Sequence, residues 1–413
     1  MRNLRVDGER LWRSLMDMAK IGATAKGGSC RLAASDEDGQ GRDLFVSWCQ
    51  AAGLTVTVDR IGNIFAQRQG RNAALPPIVT GSHLDTQPTG GKFDGVYGVL
   101  AGLEVVRVLN DVGLETEAPI EVVVWTNEEG ARFAPAMVAS GAFAGVFDVA
   151  AALAAKDVDG KVLGDELRRI GYAGDAPVGG RPIGAAFEAH IEQGPILEAE
   201  RKTIGVVTGV QGIRWYDVAI AGMEAHAGPT PMAMRKDAMV AAARVIAAAD
   251  ASAKAHAPGG RATCKVVEVK PRGSRNTIAG HVDLTIDMRH PDQAELDAMD
   301  GDLRSAAKAA ERELGVTIAI AAIWTSPPVA FDPACVGAVR AATSALGLPC
   351  QDMVSGAGHD SCYLARVAPT AMIFVPCEGG ISHNEIENAT KDDLEAGCNV
   401  LLHAMLERAN APA

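Results

Sequence analysis

The chain has 413 residues, 48% of them apolar and 22% charged, with a formal net charge of −12. It is too long for one ordinary core and too apolar for disorder, so two globular domains are expected. The acidic balance excludes nucleic acid and anionic membrane as partners through long-range repulsion, and any anionic substrate must meet a local cationic group.

The opening Met1-Arg2-Asn3-Leu4-Arg5-Val6-Asp7 has no apolar run of signal-peptide length. No later stretch reaches the roughly 18 uncharged apolar residues of a membrane span, which predicts a cytoplasmic protein. From about residue 9 to 70 the text reads as helices and one hairpin-like segment, in which Leu54-Thr55-Val56-Thr57-Val58 alternates and Ile61-Gly62-Asn63-Ile64-Phe65-Ala66 follows a turn. Pro77-Ile78-Val79-Thr80 then leads into Gly81-Ser82-His83-Leu84-Asp85-Thr86, and Val96, Val99, Leu100, Leu103 and Val106 recur at helical spacing. Ile120-Glu121-Val122-Val123-Val124-Trp125 reads as a buried strand, so the order strand, helix, strand predicts a parallel sheet.

Between 213 and 327 the pattern predicts strand 215–221, helix 235–255, strands 263–269 and 281–289, helix 293–314 and strand 316–324. This β-α-β-β-α-β order is a ferredoxin-like signature. In the fourth element Val282, Leu284, Ile286 and Met288 share one face, which puts Arg289 on the open one. After Ser326-Pro327-Pro328 the alternation resumes, with 368–375 a core strand. The expected architecture is a discontinuous α/β catalytic domain, 1–212 and 328–413, with an inserted lid and dimerisation domain at 213–327. The eight cysteines include no Cys-x-x-Cys pair and read as reduced structural thiols.

The polar residues fall at predicted strand ends. His83 and Asp85 close the strand at 78–82, Asp94 opens the next helix, and Glu128 and Glu129 close the strand at 120–126. In open α/β sheets the carboxyl ends of strands line the ligand crevice, so these groups are expected to converge. Histidine with several carboxylates and no thiolate suits a catalytic zinc, manganese, cobalt or nickel ion. His190 and His383 occupy similar polar contexts. Taken singly, Glu128-Glu129 reads as a solvated turn and Asp94-Gly95 as a helix cap; their coincidence at one edge favours a metal site.

Gly81-Ser82-His83-Leu84-Asp85-Thr86, Gly91-Lys92-Phe93-Asp94-Gly95, Asn127-Glu128-Glu129-Gly130, His190-Ile191-Glu192-Gln193-Gly194 and Ser382-His383-Asn384-Glu385 together resemble the hydantoinase/carbamoylase branch of the M20 metallopeptidase-like amidohydrolases. That branch includes N-carbamoyl-L-amino-acid hydrolases, allantoate amidohydrolases and β-ureidopropionases. The resemblance implies two divalent ions (Zn, Mn, Co or Ni) bridged by Asp94, with His83 and His190 on one and Glu129 and His383 on the other. Asp85 would orient the His83 ring by accepting its second N–H, and Glu128 would be the general base.

The same resemblance makes His226, in Gly222-Met223-Glu224-Ala225-His226-Ala227-Gly228, a group that reaches the active site of a second subunit and stabilises the oxyanion. Arg289, Asn276 and Gln211 would clamp the substrate carboxylate. Gln193 would lie near the ureido group, and Gly358 and His359 beside the site, where loop-stabilising hydrogen bonding is the alternative role. Hinges are expected near Gly212 and near Ser326-Pro327-Pro328. The implied reaction is hydrolysis of the ureido C–N bond of an N-carbamoyl-L-amino acid to ammonia, carbon dioxide and the amino acid, by a homodimer. Allantoate is the alternative substrate, with a dipeptide or acyl-amino acid behind it. Two positions depart from the family pattern: Ala131 where serine is common and Ala279 where proline is common.

Overall fold

The computed structural model describes residues 4–411, so Met1-Arg2-Asn3, part of the opening read above, lies outside the described residues. Strands β1 (Thr55–Val58) and β2 (Ile64–Arg68) form the expected antiparallel hairpin, with Val58 opposite Ile64. Strand β3 (Ile78–His83) and, beyond helix α1 (Val96–Asp111), strand β4 (Ile120–Trp125) are buried along their whole length, as strands covered on both faces must be. On α1, Val96, Val99, Leu100, Leu103 and Val106 are all buried, each worth roughly 1.5–3 kcal/mol relative to exposure. Gly98 sets how closely this helix approaches the sheet: a Cβ there would stand 2.5 Å from the carbonyl oxygen of Ala189. Three short helices, Val138–Phe143, Val149–Leu153 and Leu163–Arg169, precede strands β5 (Ala185–Ile191) and β6 (Ile204–Val210).

The chain forms two compact units, the second being Gly209–Val329. In it β7 (Gly212–Ala221), helix α2 (Ala238–Ala255), β8 (Arg261–Lys270), β9 (His281–His290), helix α3 (Gln293–Leu314) and β10 (Thr317–Ser326) follow one another. Its four strands are antiparallel in the order β10-β7-β9-β8. Val282, Leu284, Ile286 and Met288 of β9 pack with Ala241, Ala242 and Val245 of α2 and Leu296, Met299 and Leu303 of α3 in one core, while the intervening Asp283, Thr285, Asp287 and Arg289 stay partly exposed. Period-two alternation therefore faces this sheet toward its helices on one side only.

The first unit resumes with β11 (Cys350–Ser355), β12 (Thr370–Val375) and helix α4 (Lys391–Ala409). Its nine-stranded sheet runs β1-β2-β4-β3-β5-β12-β6 and on to the short strand Val329–Ala330, with β11 pairing β6. The central four, β4, β3, β5 and β12, are mutually parallel, so their carboxyl ends open on one edge. All eight cysteines are free.

Candidate active site

Each strand of that parallel core delivers a polar residue at its carboxyl end: His83 from β3, Glu128 and Glu129 just beyond β4, His190 from β5, and His383 in the segment after β12. Asp94 comes from the segment leading into α1. Gly95, at φ +68, follows it, and a Cβ at this position would lie 2.3 Å from the His83 ring. Glycine is therefore required for Asp94 and His83 to be neighbours. Three residues of these segments, Asn127, Gln193 and His383, hold left-handed φ values of 57, 56 and 54° without being glycine. Such conformations persist only where surroundings over-determine them; the Asn127 amide, for one, donates to the Phe133 carbonyl at 2.7 Å.

The two Asp94 oxygens face different partners. Oδ1 lies 3.5 Å from His83 Nε2 and 3.2 Å from His190 Nε2, whereas Oδ2 lies 3.4 Å from His383 Nε2. His383 Nε2 is also 3.4 Å from Glu129 Oε2. Ligands about 2.0–2.1 Å from a tetrahedral ion stand about 3.3 Å from one another, and these separations match that spacing on either side of the Asp94 carboxylate. The tautomers agree. Nδ1 of His83 meets the main-chain oxygen of Asp85 at 2.8 Å and Nδ1 of His190 that of Ile191 at 2.9 Å, which leaves both Nε2 lone pairs directed at the shared centre. The donor set fits two divalent ions.

The charges point the same way. Burial pushes the Glu128 carboxyl well above the usual range against the opposing pull of His83. Burial, reinforced by Asp94, raises Glu129 to about 7. Asp94 is held well below its usual value: burial pushes it up, but the imidazoles of His190, His383 and His83 around it outweigh the burial. His83 is pushed well above its usual value: burial opposes protonation, but Glu128 and Asp94 override it. Carboxylates crowded this closely are relieved either by taking up protons or by cations among them.

The surroundings of the His83 ring depart from expectation. The Asp85 carboxylate does not reach the His83 ring; it accepts the main-chain N–H groups of Glu128 and Glu129 at 3.2 and 3.3 Å, and only the Asp85 carbonyl serves the ring. Gln193 donates to Asp94 Oδ2 at 2.9 Å, leaving its own Oε1 buried without a partner. His359 packs edge-on against His190, ring centroids 4.6 Å apart, and meets Ser355 Oγ at 3.0 Å, and burial together with His190 keeps it neutral. Gly358 precedes it, where a Cβ would press on Met137 Cε at 2.9 Å. Glu188 lies with His190 and His359 in a third possible ligand group, but its oxygens are already bonded to Ser82 and Ser361. Two residues were missed from sequence: Gln87, whose amide donates to Glu129 at 2.8 Å, and Glu387, which accepts from the Asp94 main chain at 3.1 Å.

The remaining candidates belong to the second unit, and they do not form one cluster. Arg289 sits near the end of β9 opposite Ile213 of β7, close in sequence to buried Gln211, with its guanidinium on Asp287 at 2.7 Å. His226 and Asn276 lie on a short ribbon, His226 opposite Thr277, whose strands leave the other end of the sheet. The eight steps of β9 from His281 to Arg289 span roughly 27 Å at about 3.4 Å each. The expected clamp of Arg289, Asn276 and Gln211 is thus divided between two ends of one sheet. His226 is exposed, and its Nδ1 accepts the Gly228 N–H at 3.1 Å, which makes Nε2 the donor.

Comparison with known proteins accords with this geometry. Residues 79–407 match the model of peptidase family M20/M25/M40. An N-carbamoyl-L-amino-acid amidohydrolase of Rhizobium meliloti is 52% identical over 407 residues, 98% of each chain. An allantoate amidohydrolase of Bacillus subtilis is 33% identical over 386 residues, 93% of each. Among solved structures, a hydantoinase/carbamoylase family amidase from Burkholderia multivorans superposes with a TM-score of 0.96 at 62% identity, covering 99% of this chain and 100% of that one.

Proposed function

Because the chain belongs to the M20/M25/M40 peptidase family, and within it to the hydantoinase/carbamoylase branch, we propose that it is a metal-dependent amidohydrolase that cleaves the ureido C–N bond of an N-carbamoyl-L-amino acid. The observation that carries this reading is Asp94, whose two oxygens face two separate ligand groups, His83 with His190 and Glu129 with His383. Two divalent ions, when bound there, lower the pKa of a water and polarise a carbonyl.

The protein's own residues do the rest. Glu128, 3.5 Å from His83 but absent from both ligand groups, takes the proton of the attacking water and passes it to the leaving nitrogen. His226 donates from Nε2 to the tetrahedral oxyanion. The buried, unpartnered Oε1 of Gln193 is an acceptor suited to the ureido N–H, a donor that a simple ester would lack. Arg289 with Gln211 takes the substrate carboxylate, and His226 with Asn276 comes from the second copy of a homodimer, a division that their separation along one sheet supports. The ammonia departs, and the carbamate left behind decays to carbon dioxide and the amino acid. No described helix is long and apolar enough to cross a membrane, and the cytoplasm is the proposed site of action.

The deciding experiment is ammonia release by zinc- or manganese-loaded protein given N-carbamoyl-L-amino acids, allantoate and a dipeptide side by side. Activity across the carbamoyl-amino acids supports the proposal. A strong preference for allantoate reassigns the substrate, and dipeptide cleavage alone overturns the reading.

A further inference from the structure

We propose that Glu387 is a positioning residue for one of the two ion sites, clamping the segment that bears Asp94 to the segment that bears His383. It rests on the two-ion reading above and goes beyond it by dividing the two sites.

The Glu387 side chain is 1% exposed. One oxygen accepts the main-chain N–H groups of Phe93 at 3.0 Å and Asp94 at 3.1 Å, and the other accepts Ser382 Oγ at 2.8 Å. Ser382 Oγ stands in turn 3.0 Å from Asp94 Oδ2. Both segments that carry the Asp94–His383 pair are thus fastened to one carboxylate, and the Glu387 N–H closes its own segment on Asn384 O at 3.0 Å. Gly91 makes room for it: a Cβ there would lie 2.0 Å from Glu387 Oε1.

Two features separate this from ordinary packing. Among the described residues no lysine or arginine pairs with Glu387, so a buried acid is held by N–H and O–H groups alone, which costs stability that an apolar side chain would not. The dependence of the two sites also differs. His83 and His190 are each fixed through Nδ1 by a main-chain oxygen, whereas among the described residues no such bond orients His383, whose side chain is 51% exposed. The placement of His383 follows its segment, and Glu387 is what holds that segment against Asp94.

The test titrates the ion-free full chain with Mn²⁺ by calorimetry, with metal content read by mass spectrometry, for wild type, Glu387→Gln and Glu387→Ala. Wild type is expected to take two ions. Both variants are expected to bind the first with unchanged affinity and the second about 10–100-fold more weakly, the usual effect of losing an outer-shell partner, while the ion-free melting temperature of Glu387→Gln stays near wild type. Two ions bound by both variants as tightly as by wild type would overturn the inference. So would equal weakening of both ions with a lowered ion-free melting temperature, the signature of a merely structural role. If Glu387→Ala does not fold, the isosteric glutamine variant decides alone. A wild type that binds fewer than two ions brings down the two-ion reading itself, an outcome distinct from failure of the Glu387 clamp.

Discussion

The His83 ring is oriented by the main-chain oxygen of Asp85, 2.8 Å from Nδ1, while the Asp85 carboxylate faces the opposite way onto the N–H groups of Glu128 and Glu129. The ring therefore keeps its acceptor when the carboxylate is lost, and the turn presenting Glu128 does not. For Asp85→Asn we expect kcat to fall about 10–100-fold, the equivalent of one hydrogen bond to a charged group at roughly 1.5–3 kcal/mol, with bound metal unchanged. Metal analysis beside steady-state kinetics checks this; metal lost in step with kcat would return the carboxylate to the role of ring orienter.

Glu128→Gln removes the proton acceptor and leaves both ligand groups intact, since Glu128 belongs to neither. Turnover is expected to drop by about 10²–10⁴, the usual contribution of a general base, in protein that retains two ions. Substantial activity with both ions bound would take the base role from Glu128.

How far the site could be read from sequence depends on where each contact comes from. His83, Asp94, Glu128 and Glu129 could be expected to converge because a strand's hydrophobic run marks its own end and the parallel order places those ends together, whereas His190 and His383 stood out only by their polar contexts and by the family resemblance. Glu387 was not, because local sequence cannot tell it from Glu385: one turns inward to Asp94, the other outward to Lys26 at 3.3 Å. Gln87 reaches Glu129 only through the folding of segments 42 positions apart. Asp85 was placed correctly beside His83 but given the wrong atom, since residue spacing cannot distinguish a carbonyl from a carboxylate. The alternation in β9 correctly set Arg289 apart from the core, yet periodicity could not reveal that Asn276 leaves from the opposite end of the sheet.

That separation makes a prediction for mixed dimers. His226→Ala is expected to lower kcat by about 10²–10³, as loss of an oxyanion donor does, and Arg289→Ala to raise KM for the anionic substrate. If each site draws Arg289 from one copy and His226 from the other, dissociating and re-associating an equal mixture of the two variants leaves half the molecules mixed, each with one intact site. Activity then returns to about a quarter of wild type, as expected for a symmetric two-fold assembly. No recovery on mixing would place both residues in a site made by one copy.

The sheet itself carries a pH-dependent element away from the candidate metal site. Glu121, on β4 and 2% exposed, is raised to about 7 because burial outweighs the nearby charge of Arg181. That guanidinium bonds to Glu121 and lies 4.1 Å over the Phe65 ring. A carboxyl whose folded pKa exceeds its unfolded value binds more protons when folded, so between about 4.5 and 7 its contribution to stability falls as pH rises. Above that range the folded protein keeps a buried carboxylate and bears the full cost. Glu121→Gln removes the ionisation and retains the shape, so the variant is expected to gain on wild type by up to roughly 3 kcal/mol between pH 4.5 and 8. Thermal melts of ion-free protein across this range would show it as a stability difference that moves steadily in the variant's favour. A difference constant with pH would mean that Arg181 already compensates the charge in full.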